Sequence, residues 1–181
     1  MEFKFCPYCG KALQLISGYD RKRLYCKECN IIHYRNPTVG VAVILLKEKK
    51  LLLVKRVGSY EGKWCIPCGH LEWDEDVRVA AQREFKEETG LEVEIGPVFA
   101  VYSNFHDPAK QTVGIWFLGK LTGGTLNPAS DASEAVFYPV DNIPEAMAFP
   151  TDLLVCQKIK GYIEDDKKYA LLYGNYGKNL Y

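Results

Sequence analysis

An α/β domain behind a small metal-stapled module is the fold class this sequence predicts, on three observations. Apolar runs at Val39–Leu46 and Leu51–Val54 read as buried strands, the segments 74–90 and 150–164 carry helical spacing, and two Cys-x-x-Cys pairs precede them all. A chain of 181 residues holds one compact domain and an appendage, not two full domains. With 48% apolar, 13% aromatic and 25% charged residues it can bury a sizeable core, which excludes a disordered or fibrous protein. Lys+Arg and Asp+Glu number 23 each, so no whole-molecule field draws the chain to nucleic acid or an anionic membrane, although a local basic patch stays open. The longest apolar run ends at Lys47, far short of the ~20 residues that span a bilayer. The N-terminus has neither the positive region nor the apolar run of a signal peptide, so the mature chain is expected to begin where the sequence does, in the cytoplasm.

The N-terminal module comes first. Cys6-Pro7-Tyr8-Cys9, sixteen intervening residues and Cys26-Lys27-Glu28-Cys29 make the two-knuckle pattern of a structural zinc site. Four thiolates satisfy tetrahedral Zn2+ and leave no position for water, so the ion's work is to fold a segment too short for its own core. Two disulfides are the alternative and would require a secretion signal. Gly10 suits the tight knuckle turn, and the stretches around Leu13, Leu15 and Leu24, Tyr25 read as short ribbon strands. His33 is redundant as a fifth ligand, and Asn36-Pro37 reads as a linker. Cys65 and Cys68 are spaced as a further Cys-x-x-Cys, but Ile66-Pro67 between them reads as a strand end entering a loop rather than a redox motif. Pro150 and Thr151 can start the helix 150–164, where Leu153, Leu154, Cys156, Ile159 and Ile163 suggest an apolar face, and Cys156 is assigned to the core.

Beyond the hairpin 39–54 lies a Gly-containing loop (Gly58, Gly62), a strand end near Trp64–Pro67, and the helix 74–89. Asp74 is its candidate N-cap, Val77, Ala81 and Phe85 its inner stripe, and Gly90 its stop. Glu84 and Glu88 lie four residues apart and share a face with Glu87 beside them. Such like charges repel by a few tenths of a kcal/mol per pair, a cost that a bound divalent cation offsets. Hard oxygen ligands with room for water suit Mg2+ or Mn2+. Taken alone, a solvated acidic face is the better reading of these carboxylates.

Their neighbours reverse that preference. From Gly69 the chain reads Gly, five residues, Glu75, seven residues, Arg83-Glu84-Phe85-x-Glu87-Glu88-x-Gly90-Leu91, which fills every fixed position of the Nudix box. The chain therefore resembles the Nudix hydrolases. That resemblance, covering roughly residues 39–163, implies an α/β/α sandwich with a mixed sheet and a loop-helix-loop that binds Mg2+ and cleaves a nucleoside-linked pyrophosphate. The cysteine module followed by Tyr34-Arg35-Asn36-Pro37 is similar to the Nudix subgroup that carries a zinc ribbon. The domain reading is a four-cysteine zinc ribbon at 1–36, a Nudix domain at 37–165 and a Tyr-rich tail at 166–181.

The resemblance also implies roles, position by position. Glu84 and Glu88 match direct metal ligands, Glu87 a direct ligand or one holding metal-bound water, and Arg83 the arginine that orients them. Glu75 matches a structural glutamate that pairs with the helix. The residue before the box glycine offers its backbone carbonyl to metal; here it is Cys68, where the family usually has Gly or Ala. Ser133–Asp141 resembles the family's later strand, which makes Glu134 a candidate further ligand or base, with an ordinary exposed glutamate as the alternative. A metal lowers the pKa of bound water and screens the diphosphate, so that a positioned carboxylate takes the proton as water attacks phosphorus.

The zinc-ribbon enzymes that hydrolyse NADH carry Ser-Gln-Pro-Trp-Pro-Phe-Pro after the box. This chain reads Val-Tyr-Ser-Asn-Phe-His-Asp-Pro at 101–108 and looks more like the FAD and ADP-ribose pyrophosphatases of plant-chloroplast type. The expected reaction is Mg2+-dependent hydrolysis of an ADP-linked diphosphate, with an NADH or MutT-like triphosphate enzyme as alternatives and a nucleotide-binding adaptor as the non-enzyme alternative. Tyr60, Trp64, Tyr102 and Phe105 are candidates to stack a base, with core or loop packing as the other reading. The partner expected is a small nucleotide, with neither a membrane nor nucleic acid, and family habit implies a homodimer.

Overall fold

The computed structural model describes residues 3–18 and 21–174, which divide into two compact units, 1–37 and 38–181. In the first, β1 (Gln14–Gly18), β2 (Arg21–Cys26) and β3 (Ile31–His33) form an antiparallel meander. The third strand adds to the two that the sequence pattern marks; its register sets Leu24 opposite His33 and Cys26 opposite Ile31. Gly10, at φ +71°, closes the first knuckle by donating its amide to Cys6 O at 2.9 Å.

The second unit opens with β4 (Thr38–Lys47) and β5 (Lys50–Arg56), a hairpin closed over Glu48-Lys49. Both turn residues have positive φ, 51° and 60°, as a two-residue turn matched to strand twist demands. The chain continues through β6 (Trp64–Cys65), β7 (Cys68–His70), α1 (Val77–Thr89), β8 (Leu91–Asn104), β9 (Thr112–Gly124), β10 (Ala132–Pro139), α2 (Pro150–Ile163) and α3 (Asp166–Gly174). The main sheet runs β10-β5-β4-β9-β8; β4 and β9 are parallel and the other pairs antiparallel, so the sheet is mixed.

Strand alternation makes two cores. Val41, Val43, Leu45, Leu52 and Phe117 face α1 with Ala81 and Phe85, whereas Ala42, Ile44, Leu46, Leu53 and Leu118 face α2 with Val155 and Ile159. This is the expected α/β/α sandwich. One irregularity builds the site: β4 pairs with β5 only at the hairpin end and gives Gly40–Ala42 to β7 instead. The strands diverge, and the Gly69 segment enters between them.

Two helix expectations are corrected. The cap of α1 is Asp76, whose carboxylate accepts from Arg78 N at 2.8 Å, not Asp74; residues 72–75 form a turn that brings Glu75 back towards the helix. Gly90 does end the helix, at φ +71°. On α2, Leu153 and Leu154 are 45% and 48% exposed. Its inner face is Thr151, Asp152, Val155, Cys156 and Ile159, because the helix turns a polar pair inward at its first turn. Asp152 Oδ2 accepts from Ile66 N and Oδ1 from Trp116 Nε1, both at 3.0 Å. After α2, α3 buries Leu172 and packs Tyr169 near the α2-side core; the Tyr-rich residues 175–181 lie outside the described residues. Among the described residues no helix is long and apolar enough to cross a membrane.

Burial pushes Asp152 up to about 7, against the two hydrogen bonds that favour its charge. A carboxyl whose pKa rises on folding contributes stability that is complete below its unfolded pKa of 3.8 and is lost as pH climbs through 7. Thermal melts at pH 5 and pH 8 should therefore show wild type losing up to a few kcal/mol more on alkalinisation than Asp152→Asn, since one pKa unit is about 1.4 kcal/mol. Equal pH dependence in the two proteins would show that Asp152 does not titrate as a buried acid.

Candidate active site

Helix α1 presents its carboxylates beside the β7 loop, and one arginine organises them. Arg83 grips Glu75 through Nε and Nη2, both at 2.8 Å, and turns Nη1 to Glu84 Oε1 at 2.8 Å and to Glu87 Oε2 at 3.5 Å. A planar fork suits this geometry and a lysine would not. The pairing holds the Glu75 carboxyl below its usual range.

Glu84 lies against backbone. A Cβ on Gly69 would stand 1.9 Å from Glu84 Cδ and 2.1 Å from Oε2, so only glycine leaves room for that carboxylate. One turn on, Glu88 is 1% exposed. Its Oε2 accepts from the Cys68 amide at 2.8 Å, while Oε1 has no partner, the one such buried side-chain atom found among the described residues. Burial first, then the Cys68 thiol and the Asp131 carboxylate, hold the Glu88 carboxyl well above the usual range. A buried oxygen without a donor, beside further negative groups, fits a hard divalent cation.

These groups border a cavity of about 370 Å3 whose lining includes Gly40, Cys68, Gly69, Glu84, Trp116 and Phe149. Arg56, 11% exposed, also lines it. Its Nη2 pairs with Asp131 at 2.9 Å, whereas Nη1 meets only the Cys65 and Cys68 sulfurs, at 3.8 and 4.0 Å. Thiols are weak acceptors, so the Nη1 corner of this buried guanidinium is under-satisfied, while its face lies over the Phe149 ring at 5.5 Å.

The candidates from sequence divide. Glu84, Cys68 and Gly69 meet at the cavity, with Glu75, Arg83, Glu87 and Glu88 around them. Glu134 does not line it; on β10 it pairs with Lys55 at 2.8 Å, facing solvent. Three acids from outside the helix do line it, Glu72, Asp131 and Asp152; Asp131, beside Arg56, is placed by Ser130 at φ +59° and by its own carbonyl accepting from Val57 N at 2.7 Å. Trp64 is a core residue set edge-on to Tyr138, and Tyr102 packs against Trp116. Phe105 is exposed, and Tyr60 joins His106 and Phe149 at the rim, its hydroxyl 2.6 Å from His106 Nε2. Sequence reasoning missed Arg56, Asp131, Trp116, Phe149 and Asp152. The one available signal was an arginine ending the strand before the Gly58–Gly62 loop and an aspartate directly before the strand that begins at Ala132.

The four ribbon thiols lie within 4.8 Å of one another, with Cys9–Cys26 at 3.5 Å and Cys6–Cys29 at 4.0 Å. Tetrahedral zinc at a Zn–S distance of ~2.3 Å requires sulfurs ~3.8 Å apart, so the cluster fits that ion. His33 Nε2 stands 3.6 Å from the Cys6 sulfur, against the cluster but outside the sulfur set.

Residues 36–156 match the family model for the NUDIX domain, and residues 4–35 match the Nudix N-terminal zinc-ribbon model. An ADP-ribose pyrophosphatase of Methanocaldococcus jannaschii is 36% identical over 124 residues, 67% of this chain and 73% of that one. The NAD-capped RNA hydrolase NudC of Vibrio atlanticus is 28% identical over 166 residues; the match takes in 91% of this chain but spans only 59% of that relative. A crystal structure of a NUDIX hydrolase from Nitrosomonas europaea superposes with a TM-score of 0.76 at 35% identity, over 90% of this chain and 92% of that one.

Gly69→Ala should lower turnover by about a hundredfold or more, because the new methyl drives the Glu84 carboxylate from its seat, while circular dichroism keeps the wild-type signature. A Gly69→Ala enzyme within threefold of wild type would refute the seating argument.

Proposed function

The chain belongs to the Nudix hydrolase family, and on that premise we propose that it hydrolyses the pyrophosphate of a nucleoside diphosphate linked to a second moiety, with ADP-ribose or FAD preferred. The products are AMP and the phosphorylated second moiety. The observation that carries this reading is the orphaned Glu88 oxygen beside the Glu84 carboxylate cradled on Gly69, at the edge of a cavity of nucleotide size. Glu84, Glu88 and the Cys68 carbonyl are assigned to hold Mg2+ (or Mn2+), with Glu87 supporting it. The ribbon cysteines hold a structural Zn2+.

A divalent cation there screens the diphosphate and makes a nearby water more acidic. The chain's own residues do the rest. Arg83 keeps Glu84 from rotating out of line by tying it to Glu75. The Cys68 amide fixes one oxygen of Glu88 and leaves the other unpartnered, where it would ligate the cation. Arg56, with a guanidinium corner met only by thiols, holds a phosphate oxygen of the bound diphosphate. Asp131, not Glu134, is assigned to take a proton from the attacking water, because Asp131 lines the cavity and Glu134 does not. Trp116 and Phe149 line the apolar part of the cavity, where a base or ribose is seated.

The likeness to the ADP-ribose pyrophosphatase supports the substrate class. The likeness to NudC, which includes the ribbon, favours a second reading in which NAD(H) or an NAD-capped end is cleaved; the absence from residues 101–108 of the Ser-Gln-Pro-Trp-Pro-Phe-Pro segment of the NADH-hydrolysing zinc-ribbon enzymes argues for the first.

With Mg2+, kcat/KM on ADP-ribose or FAD should exceed that on NADH at least tenfold, about 1.4 kcal/mol in transition-state binding, and chromatography should find AMP. Equal or faster NADH cleavage selects the second reading, and release of pyrophosphate from dGTP selects MutT-like chemistry.

Among variants, Glu84→Gln and Glu88→Gln should each lose about a hundredfold or more in kcat with normal melting curves, Asp131→Asn at least tenfold, and Glu134→Gln less than threefold. A Glu134→Gln loss larger than that of Asp131→Asn reverses the base assignment.

A further inference from the structure

The neutral charge of the whole chain conceals a segregation. Residues 1–37 carry seven Lys/Arg against three Asp/Glu, a net +4, and the remainder carries the balancing −4. Charge asymmetry of this kind marks a local partner that the overall balance hides.

The ribbon sheet sets two of these seven cations, Arg21 and Arg23, on one face and Lys22 on the other. Residues directly opposite in an antiparallel pair share a face, and alternate residues change face. Leu24, Cys26 and His33 therefore belong to the cysteine side, where His33 meets the Cys6 sulfur. Arg21, Arg23 and Tyr25 of β2 and Ile32 of β3 belong to the other. There the Arg23 guanidinium sits 5.2 Å over the ring of Tyr34, which is itself 63% exposed. Tyr25 is held by its hydroxyl donating to Asn30 Oδ1 at 2.7 Å.

A sheet face that carries guanidinium groups among partly exposed rings has two features that unpaired nucleic acid requires. Cations track the phosphates, and flat π-surfaces accept unstacked bases without selecting among them. A duplex hides its base faces and uses only the first. We propose that the Arg21-Arg23-Tyr34 face of the ribbon binds single-stranded nucleic acid, separately from the nucleotide cavity of the second unit. The proposal does not depend on which diphosphate that cavity cleaves.

The test uses the full chain and fluorescein-labelled 12-mer oligoadenylates, as RNA and as DNA, in anisotropy titrations at 50 and 200 mM NaCl. Wild type should bind the single strand at least tenfold more tightly than a duplex of the same length. Its affinity should fall roughly tenfold to twentyfold across that salt range, as about three phosphate contacts imply. Tyr34→Ala and Arg23→Glu should each weaken binding about tenfold, whereas Lys22→Glu, the same charge change on the cysteine side, should cost less than threefold. Zinc content and ADP-ribose hydrolysis, read on the same samples, should be unchanged in all three; Arg21→Glu, further from the Tyr34 contact, replaces Arg23→Glu if the latter loses zinc. A preference for RNA or DNA identifies the strand. The proposal is overturned if wild type does not bind at 50 mM salt, if duplex binds as well as single strand, or if Lys22→Glu is as damaging as Arg23→Glu. It is equally overturned if sedimentation shows a dimer that Tyr34→Ala dissociates while no oligonucleotide binds, which would assign the face to a second copy of the chain.

Discussion

The catalytic half of this protein depends on the fork of Arg83. One guanidinium holds Glu75 from the loop before α1 and Glu84 from the helix itself, so loop and helix cannot shift independently. That coupling explains why α1 starts late, at Val77 with Asp76 as cap: residues 72–75 must turn back before the helix begins. It also explains Gly69, whose missing side chain is the space into which Arg83 holds the Glu84 carboxylate.

The region around this fork is electrostatically unfavourable without a ligand. Glu88 is buried with one oxygen unpartnered, and Arg56 has a guanidinium corner against two thiols. Asp152, buried and also lining the cavity, has a hydrogen bond to each oxygen and fixes the Trp116 indole, although burial still disfavours its charge. The difference separates buried polar atoms that the fold provides with strong hydrogen-bond partners from those it does not.

The divergence of β4 from β5 turns these local facts into a site. Because β4 leaves its partner and pairs with β7, the Cys68–His70 segment reaches Glu84 and Glu88 while the remaining strands keep a close-packed two-faced core. The ribbon follows a different rule. It has too few apolar residues for a core, and metal-ligand spacing replaces packing as the source of its order.

Much of this was legible in the residues alone. Cysteine spacing located the knuckles, strand and helix periods located the hairpin and both principal helices, and resemblance to the Nudix box from Gly69 to Leu91 singled out the carboxylate helix. These are local patterns, set by 3.6-residue and 2-residue periods and by ligands close in sequence. What tertiary structure decided was every partner distant in the chain. Leu153 and Leu154 looked buried because their spacing is helical, yet Asp152 turned the helix towards Trp116 and Ile66, 36 and 86 residues away. Glu134 looked like the remaining acid, but sheet register set it opposite Lys55. Asp131 entered the site because a left-handed Ser130 and a hydrogen bond to Val57 aimed it at Arg56, 75 residues away. Periodicity specifies which face a residue lies on; only the closed fold specifies what stands opposite.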